Sequence, residues 1–452
     1  MNKTNTLPTR APRQKAFLVG VDFAIEKTLL PVEDSLEELA LLAETAGLEV
    51  VGEIFQKLTR PNASTYIGTG KLQEVILLVE EFHADVIIFD NELSPRHLRE
   101  IEKRLEESLG EDRIHVIDRT ALILDIFALH ANTSEGKLQV ELAQYQYRLP
   151  RLTRAWTHLA RQAGGSGGRS GNGGVGLRGP GETQLEIDRR EILRRISFLK
   201  DELEKVRAHR ARHRKARKIQ QIPTVALVGY TNAGKSTLLN LLTDARVYVA
   251  DKLFATLDPT TRKVILPSNT EILLTDTVGF IQKLPTDLVA AFRATLEEIS
   301  EADLLLHMID ISHPNAVVQY ESVMETLSDI DCADIPTLTI LNKIDLLPHD
   351  YTETKFPEVF KEPIFISATQ NIGTDEILQN IEDELFSSYI HVVAFIPYQE
   401  GQLISFFHEN GNVTDIKNLA EGIEISGQLP SRSIAQFQPY ITKIQHKQRS
   451  TE

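Results

Sequence analysis

The sequence is poor in cysteine, methionine and tryptophan, and it has no long apolar run. Its single cysteine, Cys332, among 452 residues cannot form an internal disulfide. No apolar stretch approaches the about 18 residues that a membrane-spanning helix needs. The first residues also lack the apolar core of a secretion signal. These absences predict a globular, cytoplasmic protein without a membrane span, associated with membranes at most peripherally.

Positive charge is scarce overall but concentrated in one region. The net charge of −15 taken alone argues against a polyanionic partner. Residues 148–218, however, hold 19 Lys and Arg against 7 Asp and Glu, a local charge of +12 that leaves −27 on the rest of the chain. This basic segment is therefore the candidate nucleic-acid surface.

The order of apolar runs, glycines and charges predicts four regions. Residues 1–163 alternate strand-like and helical runs, which indicates an α/β domain with a parallel sheet. Residues 164–221 form a glycine-rich loop and a basic helical linker, residues 222–388 a nucleotide-binding domain, and residues 389–452 a small α+β domain. The fold class is a multidomain α/β protein whose nucleotide-binding domain has a mixed, mostly parallel sheet with helices on both faces.

One long helix is predicted inside the linker. No glycine or proline occurs from Glu182 to Lys218, and apolar residues recur at heptad-like spacings. They are Leu185, Ile192, Ile196, Leu199, Leu203 and Val206. We expect this stripe to pack against a helix that runs through Leu138, Leu142 and Tyr145.

A complete phosphate-binding loop carries the strongest chemical signal. The pattern G-x-x-x-x-G-K-S follows the apolar strand Val225-Ala226-Leu227-Val228 and opens a helix, so its glycines lie in a strand-to-helix turn. Backbone N–H groups of such a loop surround phosphates, Lys235 reaches the β and γ oxygens, and the Ser236 hydroxyl binds Mg²⁺. The predicted contacts are Gly229, Tyr230, Thr231, Asn232, Ala233, Gly234, Lys235 and Ser236.

Three downstream motifs predict that the nucleotide is GTP. Asp276-Thr277-Val278-Gly279 follows a strand, so Asp276 can hold Mg²⁺ through water and the Gly279 N–H can contact the γ-phosphate. In Asn342-Lys343-Ile344-Asp345, the Asp345 carboxylate can accept two hydrogen bonds from guanine, which adenine does not offer. Because a buried carboxylate that is left unpaired is costly, GTP should be strongly preferred over ATP. Ser367-Ala368-Thr369 would complete the base pocket with backbone amides.

One threonine between these motifs should close over the γ-phosphate and Mg²⁺. The candidates are Thr256, Thr260 and Thr261, and their spacing does not choose among them.

Long irregular motifs outside the nucleotide site point to a family. They are Tyr66-Ile67-Gly68-Thr69-Gly70-Lys71, Phe89-Asp90-Asn91-Glu92-Leu93-Ser94-Pro95, Gly136-Lys137-Leu138-Gln139-Val140-Glu141-Leu142-Ala143-Gln144, Arg178-Gly179-Pro180-Gly181-Glu182-Thr183-Gln184-Leu185-Glu186 and Phe254-Ala255-Thr256-Leu257-Asp258. With these motifs the chain resembles the HflX family of ribosome-associated GTPases over nearly its whole length. The resemblance favours Thr256 as the switch threonine and second Mg²⁺ ligand. It places Phe254, Ala255, Leu257 and Asp258 beside the nucleotide.

The resemblance also implies a partner and an activity. It implies a GTPase that binds the large ribosomal subunit, both its RNA and its proteins, and separates stalled or idle ribosomes into subunits. We expect it to act as a monomer. Five arginines spread around a flexible loop near Trp156 could follow a folded RNA surface, although a plain solvated linker fits the same residues. They are Arg151, Arg154, Arg161, Arg169 and Arg178.

Two residues shape the expected mechanism. Phe280 follows Gly279 where many GTPases carry a glutamine that orients water, so intrinsic hydrolysis should be slow and stimulated by the ribosome; Phe280 also suits a structural role in the core. Asn232 stands where similar GTPases bind a monovalent cation, so K⁺ is a candidate second metal. Two other functions stay open: a GTP-gated protein-binding switch and a GTP-assisted RNA-remodelling enzyme.

Overall fold

A computed structural model of the chain describes most of its residues. The described ranges are 13–24, 30–110, 114–154, 180–219, 222–243, 253–254, 256–283, 298–347, 357–386, 389–430 and 433–445. The chain divides into two compact units. The first contains Met1–Val206, Ala250–Asp258 and Ile281–Arg293, and the second contains Arg207–Val249, Pro259–Phe280 and Ala294–Glu452. The four-domain division stays a prediction, and the first unit includes two segments from inside the predicted nucleotide-binding domain.

The first unit is built on a four-stranded parallel sheet in the order β2-β1-β3-β4. Its elements are β1 (Lys15–Phe23), α1 (Val32–Thr45), β2 (Glu49–Leu58), α2 (Thr69–Phe82), β3 (Val86–Phe89), α3 (Pro95–Leu109) and β4 (His115–Asp118). All four residues of β3 are buried because helices cover a parallel sheet on both faces. Helix α3 begins where Ser94 accepts a hydrogen bond from the His97 N–H, with proline at the first helical position. The predicted α/β alternation is confirmed.

Three further helices follow the sheet of the first unit. They are α4 (Arg119–His130), α5 (Ser134–Arg148) and α6 (Pro180–Ile219). A short 3₁₀ helix spans Leu149–Arg154. Leu142 of α5 packs with Ile196, Leu199 and Leu203 of α6, and Leu138, Tyr145 and Ile192 border this cluster. The long helix and its packing partner are therefore confirmed.

The second unit contains a six-stranded sheet in the order β10-β9-β8-β5-β7-β6, in which only β6 runs antiparallel to its neighbour. Its elements are β5 (Thr224–Gly229), α7 (Lys235–Thr243), β6 (Thr260–Ile265), β7 (Glu271–Asp276), β8 (Leu304–Asp310), α8 (Ala316–Asp329), β9 (Thr337–Asn342), β10 (Ile364–Phe365) and α9 (Thr374–Leu385). Met308 packs with Leu238 of α7, whereas Ile309 packs with Ala316 of α8. Helices thus cover both faces, as predicted.

The second unit ends in a small antiparallel sheet of order β12-β13-β11-β14. Its elements are β11 (Tyr389–Pro397), α10 (Gly401–Asn410), β12 (Asn412–Asn418), β13 (Gly422–Pro430), α11 (Ile434–Phe437) and β14 (Ile441–Gln445). Alternate residues of β11, namely Val392, Ala394 and Ile396, are buried with Phe407 of α10. This region is the predicted α+β tail.

Among the residues that the structure describes, none of the helices combines the length and the apolar character that crossing a bilayer requires.

Candidate nucleotide-binding site

Two glycines give the predicted phosphate-binding loop its shape between β5 and α7. Gly229 and Gly234 have φ angles of +150° and +98°, which favour glycine. A Cβ atom on Gly229 would lie 2.2 Å from the Met308 carbonyl oxygen, and one on Gly234 would lie 2.2 Å from Asn342 Nδ2. The loop therefore reaches this conformation only with glycine at both positions.

The Lys235 ammonium group is held inside the loop. Its Nζ donates hydrogen bonds to the carbonyl oxygens of Gly229 (3.0 Å) and Tyr230 (2.7 Å). Burial lowers the pKa of Lys235 to about 8, although the Asp276 carboxylate acts in the opposite direction. Burial of a cation is costly, so a phosphate group at this position would further stabilise the charged form of Lys235.

Two oxygen ligands suited to Mg²⁺ lie beside the loop. Ser236 Oγ donates to Asp276 Oδ2 at 2.6 Å, which brings a hydroxyl and a carboxylate together at the carboxyl end of β7. Hydroxyl, carboxylate and phosphate oxygens are the ligands that this hard cation prefers. The neighbouring Thr277 hydroxyl donates to the Leu227 carbonyl oxygen at 2.6 Å and so fixes the strand end. These residues fit a magnesium site.

The D-x-x-G motif lies directly against the phosphate-binding loop. A Cβ atom on Gly279 would lie 2.8 Å from Thr231 Cα and 3.1 Å from Lys235 Nζ. The Phe280 N–H donates to the Gly229 carbonyl oxygen (3.1 Å), and the Thr231 N–H donates to the Phe280 carbonyl oxygen (2.8 Å). Phe280 is buried, with 3% of its surface exposed. The residue therefore has the structural role that the sequence allowed.

The Asn342 side chain joins two loops of the predicted nucleotide site. Its Nδ2 donates to the Ala233 carbonyl oxygen at 2.8 Å, and its Oδ1 accepts from the Ala368 N–H at 3.0 Å. This bridge connects the phosphate-binding loop with the loop after β10.

The residues that the sequence predicts to contact guanine lie at the same sheet edge. Ser367 Oγ donates to Asp345 Oδ1 at 2.5 Å, and Lys343 Nζ pairs with Asp310 Oδ2 at 2.7 Å. Asp345 is exposed, whereas the prediction of strong discrimination assumed a buried carboxylate. Its desolvation therefore depends on the base that covers it.

The remaining predicted contacts differ in burial. Buried members of the predicted set are Tyr230, Thr231, Ala233, Lys235, Phe254, Leu257, Asp276, Thr277, Phe280, Asn342, Ser367 and Ala368. Asn232, Asp345 and Thr369 are exposed, whereas Gly234, Ser236, Thr256, Asp258, Val278, Gly279, Lys343 and Ile344 are partly exposed. Thr260 and Thr261 begin the edge strand β6. Thr261 Oγ1 is 2.9 Å from Thr275 Oγ1, so the Thr261 hydroxyl is less suited to a mobile switch.

Comparisons with known proteins agree with this geometry along the chain. Family models match residues 33–128 ("GTP-binding GTPase N-terminal"), 130–217 ("GTP-binding GTPase Middle Region") and 224–343 ("50S ribosome-binding GTPase"). GTPase HflX of Caldanaerobacter subterraneus subsp. tengcongensis is 47% identical over 92% of this chain and 91% of that protein. GTPase HflX of Escherichia coli K12 is 43% identical over 88% of each chain. The chain belongs to the HflX family of GTPases. It is therefore a GTP-binding enzyme that hydrolyses GTP.

Two residues of the HflX-family motif Phe254–Asp258 contact the N-terminal part of the first unit. The Phe254 ring packs edge-on against Phe127, with centroids 4.7 Å apart. Asp258 Oδ2 accepts hydrogen bonds from the backbone N–H groups of Asn132 (2.9 Å) and Thr133 (2.8 Å), and Oδ1 accepts one from Thr133 Oγ1. The family resemblance had instead implied that Asp258 lies beside the nucleotide. Ala255 lies outside the described residues.

Arg151, a predicted RNA contact, is used inside the fold of this HflX-family protein. Its guanidinium lies 3.6 Å from the centroid of the Tyr147 ring. Its Nη2 donates to the Leu93 carbonyl oxygen at 2.8 Å and pairs with Glu92 at 3.2 Å. Only 11% of the side chain is exposed, so its contact with RNA stays a prediction that these internal contacts do not favour. The side chain of Arg154 and all of Arg161, Arg169 and Arg178 lie outside the described part.

A buried charge cluster was missed by sequence analysis. Asp90 follows β3 directly, Arg119 follows β4 directly, and Lys283 comes four residues after Gly279. In the sequence, Asp90 stood out only as a member of the family motif Phe89–Pro95. The available signal was a charged residue directly after each of two neighbouring parallel strands.

Proposed function

We propose that this HflX-family GTPase binds the large ribosomal subunit and promotes the separation of stalled or idle ribosomes into subunits. The observation that carries the proposal is the match of residues 224–343 to the model described as a 50S ribosome-binding GTPase. The basic segment, with its local charge of +12, supports it because RNA binding draws on phosphate contacts from Lys and Arg.

The residues around the phosphate-binding loop divide the work of GTP hydrolysis. Lys235 pairs with the β and γ oxygens, and the Gly279 N–H contacts the γ-phosphate. Ser236, Asp276 and, by family resemblance, Thr256 would hold Mg²⁺, which when bound neutralises charge on the phosphate oxygens. The phenyl ring of Phe280 neither donates nor accepts the hydrogen bond that orients an attacking water. Hydrolysis is therefore slow until the ribosome supplies that orientation.

A substitution in the base pocket provides the clearest experimental control for this activity. The Asp345 carboxylate accepts hydrogen bonds from the guanine N1–H and 2-amino groups. Asp345→Asn replaces one acceptor with an amide donor, which suits the 2-oxo group of xanthine. We expect this variant to prefer xanthosine triphosphate over GTP while its fold is unchanged.

Ribosome binding is tested by cosedimentation with large subunits in a non-hydrolysable GTP analogue, with GTPase stimulation measured in parallel. We expect salt-sensitive binding and stimulation by ribosomes. Asp345→Asn should show both with the xanthosine nucleotide and neither with GTP. A protein-binding switch would show neither with any nucleotide, and an RNA-remodelling enzyme would be stimulated equally by naked RNA; either result excludes the proposal.

Subunit separation is a distinct step and needs its own measurement. Light scattering of intact ribosomes should fall when the protein is added with GTP, and the Asp345→Asn variant should require the xanthosine nucleotide for the same change. If the protein cosediments with large subunits but light scattering stays constant, it is a ribosome-binding GTPase without splitting activity, and the splitting proposal is wrong.

We also propose that Asn232 contributes to a K⁺ site beside the phosphates. Its φ angle of +62° places it in the left-handed region, and its side chain is exposed at the loop. A potassium ion there would supply positive charge in the manner of an arginine finger. Turnover should be faster in potassium than in sodium buffer, and equal turnover in the two would remove the proposal.

A further inference from the structure

The phosphate-binding loop contains a threonine whose hydroxyl group is buried. Thr231 lies between Gly229 and Gly234 in the loop, and 6% of its surface is exposed. Its Oγ1 atom is also buried and has no hydrogen-bond partner among the residues that the structure describes. Burying a hydroxyl group without a partner costs free energy. A valine has nearly the same shape and would avoid this cost, so packing alone does not account for the hydroxyl group.

Thr231 lies directly against the glycine of the D-x-x-G motif. The position that a Cβ atom on Gly279 would take is 2.8 Å from Thr231 Cα and 2.9 Å from Thr231 Cγ2. The same position is 3.1 Å from Lys235 Nζ. All three residues belong to the second compact unit. Because Lys235 and the Gly279 N–H are expected to contact the γ-phosphate, the Thr231 side chain lies beside the place where hydrolysis occurs.

Backbone hydrogen bonds hold Thr231 in this place. Its N–H donates to the Phe280 carbonyl oxygen at 2.8 Å, and the Phe280 N–H donates to the Gly229 carbonyl oxygen at 3.1 Å. Tyr230 and Phe280 form a parallel β-bridge between the same two segments. The fold itself therefore fixes the backbone of Thr231, which is the preorganisation that a catalytic group needs.

The same hydrogen bonds limit what Phe280 can do in the reaction. In many GTPases a polar side chain after the D-x-x-G motif orients the attacking water. Here that residue is Phe280, whose side chain is apolar and buried. Its N–H is already donated to Gly229, and its carbonyl oxygen already accepts from Thr231. The hydrogen bond to the water therefore has to come from another residue, and the Thr231 hydroxyl group is close to the reacting phosphate.

We propose that Thr231 is a catalytic residue of the slow GTP hydrolysis that proceeds without the ribosome. Its hydroxyl oxygen accepts a hydrogen bond from the attacking water, and its hydrogen is donated to a γ-phosphate oxygen. The water oxygen forms a bond to the γ-phosphorus while the bond from that phosphorus to the β–γ bridging oxygen breaks. The electron pair of the broken bond stays on GDP, and the proton of the water ends on the inorganic phosphate. Thr231 itself is unchanged.

The proposal rests on the proposed contacts of Lys235 and the Gly279 N–H with the γ-phosphate, and not on ribosome binding. A hydroxyl group turns about a single bond, whereas the glutamine amide of many GTPases is planar and has a separate donor and acceptor. Thr231 therefore constrains the water less than a glutamine would. This agrees with slow intrinsic turnover that the ribosome stimulates.

Thr231→Val removes the hydroxyl group and keeps the shape of the side chain. We measure single-turnover GTP hydrolysis by excess full-length protein in potassium buffer without ribosomes. The rate constant should fall about tenfold, as expected when one hydrogen bond is lost in the transition state. The affinity for GDP should stay unchanged because GDP has no γ-phosphate. Thr231→Ser keeps the hydroxyl group and should retain most of the rate.

Thr339→Val is the matched control. Thr339 is a buried threonine of β9 in the same sheet, with 7% of its surface exposed. This substitution should change neither the hydrolysis rate nor the affinity for GDP. An unchanged rate in Thr231→Val, an equally low rate in Thr231→Ser, or an equal loss of affinity for GDP in Thr231→Val would overturn the proposal. Because no ribosomes are present, a failure of ribosome binding or splitting would be seen separately.

Discussion

Asp258 lies against the start of α5. This contact predicts that Gly136→Ala changes stability in opposite directions in the unchanged protein and in an Asp258→Ala variant. Gly136 is the third residue of α5, and a Cβ atom there would lie only 2.3 Å from Asp258 Oδ1. Gly136→Ala changes no charge and adds one methyl group. We expect it to displace Asp258 from the backbone N–H groups of Asn132 and Thr133.

The magnitude follows from two terms that oppose each other. Alanine in a helix is more favourable than glycine by up to about 1 kcal/mol. Loss of the charge-assisted hydrogen bonds to Asp258 costs about 1.5–3 kcal/mol. Gly136→Ala should therefore destabilise the otherwise unchanged protein by about 1 kcal/mol. In an Asp258→Ala background no carboxylate opposes the methyl group, so the same substitution should stabilise by up to about 1 kcal/mol.

Amide hydrogen exchange is the appropriate assay because the two units need not unfold together. Peptides covering 131–140 and 253–258 should exchange faster in Gly136→Ala than in the unchanged protein. The 131–140 peptide should exchange more slowly in the double variant than in Asp258→Ala alone. If Gly136→Ala has the same sign in both backgrounds, Asp258 does not make this contact in solution and the reasoning fails.

The other predictions concern His307, Arg151 and Arg161. Burial lowers the pKa of His307 to about 3 from an ordinary 6.5, so the folded protein should lose stability as the pH falls below 6.5, by about 2 kcal/mol at pH 5. His307→Leu should lack this loss when stability is measured by urea unfolding. If the variant shows the same pH dependence as the unchanged protein, the prediction is wrong. Arg151→Ala should lower the free energy of unfolding by about 1–2 kcal/mol because it removes a cation 3.6 Å from Asp118. Arg161→Ala should instead reduce by about 1 the slope of log affinity for the ribosome against log salt concentration. Melting curves and salt titrations of both variants test these two roles. If Arg151→Ala changed the salt dependence of ribosome binding and Arg161→Ala did not, the assignment of the roles would be wrong.

Local sequence signals predicted much of the fold. The absence of glycine and proline from Glu182 to Lys218, together with an apolar stripe, predicted a long helix over that range, and α6 runs from Pro180 to Ile219. Helix α3 spans Pro95–Leu109, and the pair Ser94-Pro95 at its start is a strong local signal for a helix N-terminus. These elements follow from the intrinsic preferences of consecutive residues.

The phosphate-binding loop was predictable for a similar reason, whereas the exposure of the neighbouring side chains was not. Gly229 and Gly234 shape the phosphate-binding loop through their own backbone conformations, which sequence spacing already indicates. The exposure of Asp345 was not predictable, because the burial of a loop side chain depends on which distant segments cover it.

The sequence by itself therefore determined the phosphate-binding loop, the guanine motif and the order of strands and helices, because each is encoded within a short stretch of chain. Only the tertiary structure decided the partners of the charged residues. Arg119 meets Asp90 across 29 positions, Asp258 meets Thr133 across 125, and Lys283 meets Asp90 across 193. A carboxylate can pair with many cations and hydrogen-bond donors, so the residue types do not specify the partner. The fold specifies it by bringing two particular groups together.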